Sequence, residues 1–95
     1  MKVIIKPRAQ NSIKKIANYI SEEGYPETAL RFVDRLEKFI NSLPNYPDKY
    51  QKSRHKAFAK KSFRQVPFVK NYIIVYKVID NVLYVYNVIH ASRIR

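Results

Sequence analysis

The sequence predicts an α+β fold: an N-terminal strand, then an antiparallel helical hairpin packed on one face of a mainly antiparallel sheet, in the order βααβββ. Three observations predict it. Apolar residues recur at helical spacing from Ala9 to Leu43. β-Branched and aromatic residues crowd the last third of the chain, in runs of strand length. The single glycine, Gly24, stands between the two helical stretches, where a helix end needs a left-handed residue. Ninety-five residues support one modest core, so residues 1–95 form a single domain.

Taken in order, Lys2–Lys6 reads as a short strand stopped by Pro7. Ala9, Ile13, Ile16, Ala17 and Ile20 form one stripe of a first helix that ends near Glu23. Pro26 suits the first turn of a second helix, where its missing N–H is not needed, and Glu27 places a negative charge at the favourable end of the helix dipole. Ala29, Val33, Leu36, Ile40 and Leu43 carry that helix to Pro44, with Phe32 and Phe39 widening the apolar stripe. A linker of about two residues forces the helices antiparallel. Residues 44–61 read as a loop with room for a short strand or helical turn; a connection that long tends to be functional. Strands follow at Phe63–Phe68, Asn71–Ile79 and Val82–His90, the last two joined by the two-residue turn Asp80-Asn81.

A two-residue hairpin sets the register: Ile79 opposite Val82, Lys77 opposite Tyr84, Val75 opposite Tyr86 and Ile73 opposite Val88. Alternation then assigns Tyr72, Ile74, Tyr76, Val78, Leu83, Val85, Asn87 and Ile89 to the helix-covered face. The other face receives Ile73, Val75, Lys77, Ile79, Val82, Tyr84, Tyr86, Val88 and His90. Either a macromolecular partner or part of the 44–61 segment covers that second face.

Charge is unevenly spread. Residues 1–48 carry eight basic and six acidic side chains; residues 49–95 carry eleven basic and one acidic, Asp80. Lys49, Lys52, Arg54, Lys56, Lys60, Lys61 and Arg64 fall in one stretch without an acid. Such a stretch is either a solvated loop or a docking surface for nucleic acid or an acidic partner. The composition also excludes several classes. With no cysteine there is no disulfide, thiol nucleophile or Cys-ligated zinc, and two histidines cannot build a three-His metal site. One glycine excludes the glycine-rich phosphate loops. No metal or cofactor is therefore expected. The N-terminal apolar run is too short for a signal peptide, and no stretch approaches the ~20 residues of a membrane span, so a cytoplasmic location without membrane contact is expected.

These features resemble the RelE/ParE superfamily of toxins from type II toxin–antitoxin systems. The resemblance covers nearly the whole chain: the opening strand; Ala9, Ile13, Ile16, Tyr19 and Ile20; Pro26, Ala29, Phe32, Leu36, Ile40, Leu43 and Pro44; Arg64; Tyr72-Ile-Ile-Val-Tyr76; and His90-Ala-Ser-Arg93. It implies a growth-inhibiting toxin neutralised by a cognate antitoxin. An acidic, amphipathic C-terminal antitoxin segment would wrap the sheet or hairpin, with Ile73, Val75, Tyr84 and Tyr86 as contacts.

The superfamily divides into RelE-like members, which cut mRNA on the ribosome, and ParE-like members, which are linked to DNA gyrase inhibition. RNA cleavage needs an activated 2′-hydroxyl, stabilised phosphate charge and a protonated leaving oxygen. The remaining candidates for that work are Arg64, Lys77, His90 and Arg93, with His90 the acid–base group. RelE-like members carry an arginine just after the tyrosine that opens the penultimate strand; this chain has Ile73 there, which can neither bind phosphate nor move a proton. That departure favours the ParE-like branch, acting through a recognition surface: Lys49, Lys52, Arg54, Lys56, Lys60, Lys61, Arg64 and Arg93. A basic nucleic-acid-binding module without toxicity is a further alternative.

Overall fold

A computed structural model describes residues 1–45, 63–69 and 71–93. Its elements are β1 (Lys2–Ile5), α1 (Pro7–Glu22), α2 (Pro26–Ser42), a 3₁₀ turn (Leu43–Asn45), β2 (Arg64–Phe68), β3 (Tyr72–Ile79), β4 (Val82–His90) and a final 3₁₀ turn (Ala91–Arg93). The α+β architecture and the βααβββ order are those the sequence predicts. The sheet order is β1-β4-β3-β2; β1 runs parallel to β4, and the other pairs are antiparallel. The expected loop at 44–61 begins with the 3₁₀ turn; its residues from Tyr46 onward lie outside the described residues.

Local chemistry explains the boundaries. Lys6 is extended, as the residue before a proline prefers, and Pro7 opens α1 with φ already helical. α1 closes in a Schellman arrangement: the Gly24 N–H donates to the Ser21 carbonyl and the Tyr25 N–H to the Ile20 carbonyl. Gly24 holds φ at +94°, a conformation that an L side chain rarely adopts. Asp80 and Asn81 have φ of 49° and 64°, the paired left-handed geometry of a type I′ turn, whose twist matches the flanking strands.

The core lies between the helices and one sheet face. Ala9, Leu36 and Ile40 meet Ile74, Tyr76, Leu83 and Val85, all with no exposed surface, and Leu43, Val66, Phe68 and Val88 complete the cluster. Each buried aliphatic side chain contributes about 1.5–3 kcal/mol relative to exposure. α2 grips the β2–β3 side through rings: Phe32 packs edge-on against Phe68 and Tyr72, with centroids 5.6 and 5.2 Å apart, and Phe39 lies 5.4 Å from Phe68.

One feature of the sheet departs from the expected register. From Ile79–Val82 back to Tyr76–Val85 the pairing follows the turn, but then Val75 pairs with Asn87, Ile74 with Val88, Ile73 with Ile89 and Tyr72 with His90. Tyr86 is the extra residue of a β-bulge. The expected Val75–Tyr86 and Ile73–Val88 pairs are therefore corrected by one position, and so are the faces of the last three residues of β4. Val88 enters the core at 2% exposure, and His90 moves to the helix side opposite Tyr72. The physical reason is polarity. Unbroken alternation would drive the Asn87 amide into an apolar interior; inserting one residue substitutes a valine. Asn87 instead sits where β1 has ended opposite Val85, and its Oδ1 accepts from Ser12 Oγ of α1 at 2.6 Å and from the Val88 N–H at 2.9 Å.

Candidate functional site

The face away from the helices is not bare. Phe63, Gln65 and Val75 are buried there at 6%, 7% and 0% exposure. Around them lies a ladder of cations and rings. Lys6 Nζ stands 5.5 Å from the Tyr84 ring centroid and 5.9 Å from that of Tyr86. Tyr86 meets Phe63 edge-on at 4.5 Å, and Lys77 Nζ lies 5.5 Å from the Phe63 centroid. Strand alternation puts Lys6, Lys77, Tyr84 and Tyr86 together, since Lys77 pairs with Tyr84 and β1 brings Lys6 alongside β4. Partly exposed cation–π contacts of this kind contribute about 0.5–1 kcal/mol each.

The predicted contact residues of this face separate into two kinds. Ile73, Tyr84 and Tyr86 are half-buried and retain surface. Val75 has none, so it supplies packing rather than contact area, which corrects its expected place at the surface. At the other end of the same face Ile73 pairs with Pro67 and Ile89, an apolar strip across the three strands.

Of the candidate catalytic groups, Arg64, Lys77 and His90 do not share one face. Lys77 is on the open face. Arg64, paired with Tyr76, takes a helix-side register position at the start of β2. His90 is also on the helix side, its ring edge-on to Tyr72 at 5.5 Å. Arg93 ends the closing 3₁₀ turn. Lys49, Lys52, Arg54, Lys56, Lys60 and Lys61 lie outside the described residues.

His90 lines a groove of about 600 Å³ between α1 and the end of β4, together with Ser12, Lys15, Tyr19, Tyr72 and Asn87. Sequence reasoning missed this groove because it rests on the bulge. One signal was available: Asn87 occupies a position that simple alternation assigns to the core. The His90 tautomer follows from its partners. The Ser92 N–H donates to Nδ1 at 3.2 Å, so Nδ1 is an acceptor and the ring proton lies on Nε2; Ser92 Oγ is 2.8 Å from the same nitrogen. Among the described residues no group of three or more His, Asp or Glu side chains converges as a metal site, and no helix is long and apolar enough to cross a membrane.

This fold, with a helical hairpin over one face of a small mixed sheet and a second face carrying lysines and tyrosines, is that of the type II toxin class. The family model described as "ParE toxin of type II toxin-antitoxin system, parDE" matches residues 3–95. The chain belongs to that family. Among solved structures, one chain of the chromosomal ParDE TA system from P. aeruginosa superposes with a TM-score of 0.80 at 12% sequence identity, covering 95% of each chain. At that identity the likeness establishes the shared fold. No curated protein matches.

Proposed function

We propose that this ParE-family toxin arrests growth by binding a macromolecular target such as DNA gyrase, and that a cognate antitoxin neutralises it. The observation that carries this reading is the division of the candidate catalytic groups between two faces. Lys77 stands on the open face and His90 on the helix side, while position 73, where the RelE-like pattern has arginine, is isoleucine between Pro67 and Ile89. General acid–base cleavage needs its groups converging on one phosphate. A binding toxin has no such requirement; it needs a rigid, positively charged surface.

In this reading the basic segment with Lys49, Lys52, Arg54, Lys56, Lys60 and Lys61, together with Arg64 and Arg93, contacts the target in the cytoplasm. The antitoxin lays an acidic, amphipathic segment on the open face, with its apolar residues on Ile73, Tyr84 and Tyr86 and its acids towards Lys6 and Lys77.

Induced expression tests the reading. Growth arrest with intact mRNA and blocked DNA supercoiling is the expected result. Arrest with defined cuts in translated mRNA, abolished by His90→Ala with Arg93→Ala, would instead support a RelE-like endoribonuclease. Unimpaired growth would favour a non-toxic nucleic-acid-binding module.

A further inference from the structure

We infer that the groove between α1 and the end of β4 is a binding site for a nucleotide, its phosphate held by Lys15, His90 and Asn87 and its base stacked on Tyr19. The site is separate from the open face, and the inference does not rest on the identity of the toxin's target.

Among the described residues the lining is donor-rich and contains no acid. Lys15 is exposed and has no carboxylate within ion-pair distance among the described residues, where the ion pairs are Glu27–Arg31 and Asp34–Lys38 on α2. His90 accepts at Nδ1 from the Ser92 N–H, which among the described residues leaves Nε2–H as an uncommitted donor. Asn87 has its Oδ1 occupied by Ser12 Oγ and the Val88 N–H, so its Nδ2 also remains a donor. The Ser12–Asn87 bond links α1 to β4 and fixes the width of the groove at this point.

Two tyrosines supply the other half of the chemistry. Tyr19 is 62% exposed on the same α1 stripe as Ser12 and Lys15, so its ring face is open to a ligand. Tyr72 forms a wall, braced by Phe32 at 5.2 Å and His90 at 5.5 Å, both edge-on. A cation and neutral donors select an anion; an exposed ring selects a planar group; a nucleotide is the ligand that has both. The groove's volume of about 600 Å³ lies within the ~300–1,000 Å³ of small-ligand sites. The net charge of +12 adds a long-range attraction for any phosphate-bearing ligand.

The same chemistry is offered by a free nucleotide and by an unpaired strand, and the experiment separates them. Full-length protein is titrated with adenosine 5′-monophosphate, a short single-stranded oligonucleotide, adenosine and inorganic phosphate, while backbone amide shifts are followed by NMR. Either nucleotide probe should shift the amides of Ser12, Lys15, Asn87 and Ser92. Saturation by the monophosphate identifies a free nucleotide, and saturation by the oligonucleotide alone identifies a strand. Lys15→Glu should weaken binding about tenfold, as loss of a charge-assisted contact does, whereas Lys38→Glu, the same charge change on α2, should leave it nearly unaltered. Tyr19→Ala should weaken the nucleotide probes but not inorganic phosphate. All three side chains are exposed, so the variants fold. The inference is overturned if those amides do not respond, if Lys15→Glu and Lys38→Glu act alike, or if inorganic phosphate binds as tightly as the nucleotide probes.

Discussion

The two faces of the sheet are built from the same strands and alternate residues, yet they differ in almost every physical respect. On the helix side, Ile74, Tyr76, Leu83 and Val85 have no exposed surface and pack against Leu36 and Ile40. On the other side, Tyr84, Tyr86 and Lys77 are half-buried, and lysines stand over rings. The first face holds the fold together; the second keeps cations and aromatic surface at hand. The bulge at Tyr86 decides which face the end of β4 serves. It brings Val88 into the core and transfers His90 from the lysine-bearing face to the groove beside α1.

The largest effect should come from the covered face. Leu36→Ala removes a side chain with no exposed surface and should cost about 2–5 kcal/mol, read by denaturant unfolding. Tyr86→Ala removes the edge-on contact with Phe63 and the ring under Lys6, and should cost about 1–2 kcal/mol. Equal losses at the two positions would erase the contrast between the faces. Gly24→Ala probes the hairpin that does the covering. Among the described residues no atom lies within 4 Å of the added Cβ, so the cost comes from φ and should be about 1 kcal/mol by thermal unfolding. Lys38→Ala breaks an exposed i,i+4 pair with Asp34, 3.0 Å long, and should change stability by less than about 0.5 kcal/mol, falling further in high salt.

Most of the fold was legible because its signals are local. Gly24, Pro26 and the Asp80-Asn81 turn each act on their immediate neighbours, and the spacing of Ala9 to Leu43 declares the hairpin. The bulge was not legible by counting from the turn, because register is additive and one inserted residue reverses every later side chain. Hence Lys77, Tyr84 and Tyr86, close to the turn, fall on the expected face, and His90, beyond the bulge, does not. Val75 falls on the face that alternation predicts, but its complete burial depends on packing that alternation does not report. Val69, a β-branched residue at φ of 46°, also had no local signal; it follows β2 in the connection to β3, where the chain must reverse.

The bulge separates His90 from the lysine-bearing face. Proton–proton NOEs from the His90 imidazole of the full-length protein test it most directly. Contacts from that ring to Tyr72, and none to Tyr86 or Lys77, are expected. Contacts from His90 to the Lys77–Tyr86 side, with Val88 exposed, would restore the unbroken register and put His90 on the same face as Lys77, the opposite of this result.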